Sequence, residues 1–121
     1  MVKHIIFSLV TLAITGCSVT PNQQYYWGEY EKLIYDSYHK PGLATPELQI
    51  KKITQDIERA KSGRKKIPPG LYAHLGMMYA SQGNRPLAMA AFDEEKTLFP
   101  ESSILIDGMI ERSNSNKAFY K

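Results

Sequence analysis

The chain has 121 residues, 15 of them basic and 12 acidic, with 43% hydrophobic content and one cysteine. That length gives room for one small domain, and a lone cysteine excludes an intrachain disulfide scaffold. The near balance of charge lacks the strong basic excess on which nucleic-acid binding draws.

In chain order, the first feature is the apolar run Ile5-Ile6-Phe7-Ser8-Leu9-Val10-Thr11-Leu12-Ala13-Ile14, with Lys3 before it and Thr15-Gly16-Cys17 after it. A basic start, an apolar stretch and small residues before a cut have the layout of a secretory signal. A membrane-spanning helix needs about 20 apolar residues, so this shorter run addresses the chain and does not span. The competing reading is a buried N-terminal helix with an incidental cysteine, but the only cysteine falls on the cut site itself. Ile14-Thr15-Gly16-Cys17 resembles the lipobox of bacterial lipoproteins. The resemblance implies cleavage after residue 16, a diacylglyceryl thioether on Cys17 and an acylated amine carrying a palmitate-type chain. It also implies, with Ser18 and not Asp in the next position, residence on the periplasmic face of the outer membrane. One acyl chain anchors only marginally, at about 0.8 kcal/mol per buried CH₂, whereas several together anchor durably. Loss of residues 1–16 would leave 14 basic and 12 acidic residues in the mature chain.

Beyond a short tether over residues 17–24, the pattern predicts an all-α domain of about five helices over residues 25–113. Alternating β-branched runs are missing from the sequence. A first helix is expected from Tyr25 to His39, stopped by Pro41-Gly42. A second opens at Thr45-Pro46-Glu47 with a hydroxyl cap and a proline at the first helical position. It carries Ile50, Ile53, Ile57 and Ala60 as a narrow apolar stripe and ends at Ser62-Gly63. A third runs from near Pro69 to Gly83. A fourth, capped by Asn84, ends near Phe99-Pro100. A fifth covers about Ser102 to Ser113, with Ile104, Leu105, Gly108 and Met109 as its expected packing stripe. Residues 114–121 read as a polar, fraying tail.

Residues 69–102 resemble one tetratricopeptide repeat, a helix–turn–helix unit of about 34 residues. The pattern's positions fall to Tyr72, Leu75-Gly76, Tyr79, Ala88, Phe92 and Pro100. Tyr72 stands where Trp is usual, and Glu95 stands where a small residue is usual. Glu95 therefore predicts that this end of the unit meets solvent or the fifth helix. The resemblance implies an antiparallel helical pair in which Gly76 and Ala88 permit close approach and Phe92 fills the wedge. A single unit cannot bury its own face, so the flanking helices are expected to cap it. The unrelated reading is a helical hairpin of another kind.

Tyr25, Tyr26, Trp27, Tyr30, Tyr35 and Tyr38 place six of the chain's thirteen aromatic residues in one short segment, far more than an even spread would give. Trp27, Tyr30, Ile34 and Tyr38 fall on one helical stripe. Two readings stand: a packing face against the second and third helices, or a protein-binding patch in which Tyr26, Trp27, Tyr30 and Tyr35 take part, since Tyr and Trp are enriched at hot spots. The run Tyr25-Tyr26-Trp27-Gly28, then Tyr30-Glu31, between a lipobox and a tetratricopeptide-like hairpin, resembles a family of small proteobacterial lipoproteins of unassigned function. These are typically encoded beside a CsgG-type lipoprotein of the curli secretion-channel family. The resemblance implies an accessory subunit of an outer-membrane assembly and brings no catalytic residues.

Groups able to carry out chemistry are few in the sequence. His39 and His74 have no carboxylate or second histidine at ligand spacing, and Cys17 is assigned to lipid. No glycine-rich phosphate loop or nucleophile elbow occurs, and Asp93-Glu94-Glu95 reads as a solvated helix face. The expectation is a binding protein, with no enzymatic activity, metal, small-molecule substrate or cofactor beyond the Cys17 lipid. Its partner would be another envelope protein, of the CsgG type if the resemblance is followed. A second candidate surface is the groove face of the repeat, expected to expose Ala73, His74, Met77 and Ala80. An alternative function is a structural lipoprotein whose basic run, Arg59, Lys61, Arg64, Lys65 and Lys66, contacts peptidoglycan or anionic headgroups. A small-ligand carrier would require an enclosed apolar cavity of a few hundred Å³.

Overall fold

The computed structural model describes residues 24–119; the expected signal segment, residues 1–16, and Cys17 lie outside the described residues. Five α-helices follow one another among them: α1 (Tyr30–His39), α2 (Pro46–Ser62), α3 (Leu71–Ser81), α4 (Arg85–Leu98) and α5 (Ser103–Phe119). Single 3₁₀ turns, Pro41–Leu43 and Pro100–Ser102, link α1 to α2 and α4 to α5. The fold is all-α, as the sequence pattern predicts.

Local chemistry accounts for the helix ends. Thr45 Oγ1 accepts from the Leu48 N–H at 3.4 Å, and Pro46, with no N–H of its own, takes the first position of α2. Asn84 Oδ1 caps α4 by accepting from the Leu87 N–H at 3.3 Å. Between α3 and α4, Gly83 adopts φ +74°, a left-handed conformation in which a side chain would be strained.

These two helices form the best-packed unit. Gly76 faces the ring of Phe92, and a methyl group at position 76 would stand 2.5 Å from Phe92 Cε1. The missing side chain is therefore what lets α4 approach α3 there. The buried residues Leu33, Ile53, Ile57, Leu71, Tyr72, Leu75 and Ala91 join α1, α2, α3 and α4 in one cluster. Ala73, Ala88, Phe92 and Ile106 join α3, α4 and α5 in a second. Full burial of a side chain such as Ile53 or Leu71 contributes about 1.5–3 kcal/mol.

Four expectations are corrected. The first helix starts at Tyr30, not Tyr25. Residues 25–29 form an extended strap whose Tyr26 N–H donates to the Lys66 carbonyl at 2.9 Å, and Gly28, at φ +51°, turns it into α1. The fifth helix continues to Phe119, past the expected stop at Ser113. It packs through Ile106, which is fully buried, with Met109 and Ile110 beside the same cluster; Ile104 is 89% exposed. The turn Pro100–Ser102, closed by Ser102 N–H to Phe99 O at 2.9 Å, sets the rotation at which α5 meets α4. Finally, Glu95 faces neither solvent nor α5. It is 2% exposed, and its carboxylate accepts from the N–H groups of Gly70 at 2.6 Å and Ala73 at 3.3 Å. A buried acid thus supplies the acceptors that the N-terminus of α3 lacks locally, where the helix dipole also favours negative charge.

Candidate functional site

His74 lies in the second turn of α3 and is 8% exposed, so its ring nitrogens need partners within the protein. Nε2 lies 2.8 Å from Gln49 Oε1, and the Gln49 amide nitrogen donates to the Ala44 carbonyl at 2.7 Å. That second bond fixes which end of the amide faces the ring. Nε2 therefore carries the proton, and Nδ1 accepts from the Tyr30 hydroxyl at 3.0 Å. The Tyr30 ring also meets the imidazole edge-on, centroids 5.6 Å apart.

Burial holds His74 below its ordinary pKa of 6.5, which keeps it neutral and suits the tautomer described. Burial pushes the Tyr30 hydroxyl above its ordinary value, with the negative charge of Glu95 adding to the effect. Both members of the pair are thus uncharged near neutral pH. The result is a one-way relay of donors, Tyr30 to His74 to Gln49 to the Ala44 carbonyl, that pins α1, α2 and α3 together. Both imidazole nitrogens are committed to this task.

The relay forms the floor of an open, mostly apolar groove of about 560 Å³. Tyr30, Ile34 and Tyr38 of α1 form one wall, Ala73, His74 and Met77 of α3 the base, and Leu105 and Met109 of α5 the other wall. The walls are exposed, Tyr38 by 81% and Leu105 by 60%, and Met77 keeps 42% of its surface open at the base.

The sequence-predicted residues divide as follows. Tyr30, Ala73, His74 and Met77 come together in this groove, joining two surfaces that the sequence presents as separate. Ala73 and His74 are buried in its floor and not exposed as expected: Tyr30 of α1 and Gln49 of α2 cover His74, while Ala73 packs with Ala88 and Phe92 of α4 and Ile106 of α5. Trp27 stacks on Tyr30, centroids 6.1 Å apart, just outside. Tyr26 lies elsewhere, its ring 5.4 Å from the Lys65 ammonium. Tyr35 stacks on His39 at 3.9 Å and does not line the groove. Tyr38 shares the helical stripe of Tyr30 and Ile34, a signal that could have placed it here. No local signal points to Gln49 or Leu105, which arrive through tertiary packing.

Part of the basic run is engaged within the protein. Arg59 approaches Asp56 at 3.6 Å, Lys61 lies 5.8 Å from the centre of the Tyr72 ring, and Lys66 holds the strap through its carbonyl. Asp56 is 1% exposed and accepts the Glu29 N–H at 2.9 Å. Burial raises its pKa, opposed by that N–H and by Arg59. Gly28 leaves space for this carboxylate, since a side chain there would run into it.

Among the described residues no three His, Cys, Asp or Glu side chains gather as a metal site, and no helix is long and apolar enough to cross a membrane. The family model for a domain of unknown function, DUF4810, matches residues 24–109. This match covers the strap, the first four helices and the start of α5. No curated protein and no solved structure matches the chain.

Proposed function

We propose that this chain, which belongs to the DUF4810 family of unknown function, is a lipid-anchored protein of the bacterial outer membrane that grips another envelope protein in the groove between α1, α3 and α5. The observation that carries the docking reading is the convergence of the aromatic face of α1 and the apolar face of α3 on one cleft with an exposed rim. Contiguous apolar surface of this kind marks an interaction site in a small soluble domain. The cleft is open, so it suits a row of apolar side chains on a partner helix or extended segment better than an enclosed small molecule.

The α3–α4 hairpin is read as a single tetratricopeptide-like unit, supported by Gly76 against Phe92, with α1, α2 and α5 as its caps. The anchor reading is supported by Ile14-Thr15-Gly16-Cys17. A CsgG-type lipoprotein is the first partner to test, on the resemblance of the Tyr25–Glu31 run and the lipobox to that group of envelope lipoproteins. The protein acts as an accessory binding subunit and performs no catalysis.

The test is pull-down of a CsgG-type lipoprotein from solubilised envelope by the purified chain. A Tyr38→Ala/Met77→Asp double variant should lose at least about tenfold in affinity, because truncating a hot spot costs about 2 kcal/mol or more. Tyr35→Ala, away from the groove, should bind as the parent does. Undiminished binding by a folded double variant removes the groove from the proposal. Failure of the parent chain to bind removes the partner, and failure of labelled palmitate to enter the chain at Cys17 removes the anchor.

A further inference from the structure

We infer that the strap and the α2–α3 linker together form a face that rests on anionic phospholipid headgroups. Pairing of Tyr25 with Lys66, and the Tyr26 N–H to Lys66 carbonyl bond, bring two segments remote in sequence side by side. Tyr26, Trp27 and Gly28 of the strap then line a shallow depression of about 440 Å³ with Arg59 and Lys65. Arg64, at φ +51° in the adjoining turn, is exposed, as are Lys65 and Lys66.

Tyr and Trp rings favour the headgroup level of a bilayer, and Lys and Arg are drawn to anionic lipid there. The acids facing the same depression are Glu29, Glu31 and the buried Asp56. Glu29 is bound by Lys52 and Asp56 faces Arg59, which leaves Glu31 against Arg64, Lys65 and Lys66, so the exposed balance is basic. The inference rests on the anchor reading for its geometry. Trp27 follows Cys17 by ten residues, a reach of at most about 35 Å. A lipid on Cys17 therefore holds the strap, where the described chain begins, close to the bilayer. A second, electrostatic contact beside an acyl anchor would fix the orientation of the helical body on the membrane.

Trp27 is the sole tryptophan and reports directly. The full-length lipoprotein is reconstituted into phosphatidylcholine vesicles with or without phosphatidylglycerol, the acyl chains brominated near their headgroup end. The expected result is a blue shift and quenching of Trp27 in the anionic vesicles, reversed by high salt. Neutralising Lys65→Gln and Arg64→Gln should lower the docked-to-undocked ratio about fivefold each, with the helical circular dichroism unchanged. Equal Trp27 emission in both vesicles, quenching unaltered by folded double variants, or transfer of the protein from anionic vesicles to added peptidoglycan would overturn the inference. Palmitate labelling of the same preparation separates the two readings. A palmitoylated chain with unquenched Trp27 refutes the face and leaves the anchor standing. An unlabelled chain that still floats with anionic vesicles in a salt-sensitive way refutes the anchor and supports the face.

Discussion

Replacing Glu95 tests how α3 is held. The carboxylate is almost fully buried in α4 and accepts from two N–H groups at the start of α3, those of Gly70 and Ala73. Glu95→Ala leaves both donors buried without an acceptor, each costing about 1–3 kcal/mol, and removes a negative charge from the helix N-terminus, worth about 0.3–1 kcal/mol or more when partly buried. A loss of about 3–4 kcal/mol follows, a large share of the roughly 5–15 kcal/mol available to a domain of this size. Glu95→Gln keeps the shape and one acceptor but turns an N–H₂ toward the second amide, so about 2 kcal/mol is expected. Urea unfolding followed by circular dichroism gives both values. Native-state hydrogen exchange should show the Gly70 and Ala73 amides among those most accelerated. If Glu95→Ala unfolds within about 0.5 kcal/mol of the parent, as surface substitutions do, the capping role is refuted.

Gly76→Ala should destabilise by about 2 kcal/mol, the overpacking against Phe92 outweighing a helix-propensity gain of about 1 kcal/mol; Phe92→Leu in the same chain should recover part of the loss in the same unfolding assay. For His74 the folded pKa lies below the unfolded value of 6.5, so the unfolded chain binds the proton more readily. Stability is whole above that value and falls as the pH drops from 6.5 toward the folded pKa; His74→Gln should flatten this part of the unfolding free energy against pH, and an unchanged slope would contradict the neutral relay.

Much of the scaffold was legible because it depends on neighbours in sequence. The cap at Thr45, the stripe Ile53, Ile57 and Ala60, the stop at Gly63 and the Gly83-Asn84-Arg85-Pro86 turn all act within one or two helical turns. The contact of Gly76 with Phe92 was legible through spacing that resembles a tetratricopeptide unit. The strap was not: Gly28, which takes φ +51°, is a local hint against a Tyr25–His39 helix, but the bond that holds the strap, Asp56 accepting from the Glu29 N–H, spans 27 residues. Glu95 likewise finds Gly70 across 25 residues, so its departure from the repeat pattern looked like exposure when it is a buried cap. The candidate groove shows the same division. The sequence places Tyr30 on one surface and Ala73, His74 and Met77 on another, whereas their meeting, and the entry of Gln49 and Leu105, follows from how α1, α2 and α5 pack around α3.

A photoactivatable residue at position 77, compared with one at Glu58 on the exposed side of α2, tests the central claim in intact cells. Irradiation should yield one discrete adduct from position 77, containing an envelope protein and fractionating with the outer membrane, and none from position 58. Absence of an adduct at position 77, or the same products from both positions, would contradict a membrane-tethered helical domain that holds its partner in the groove.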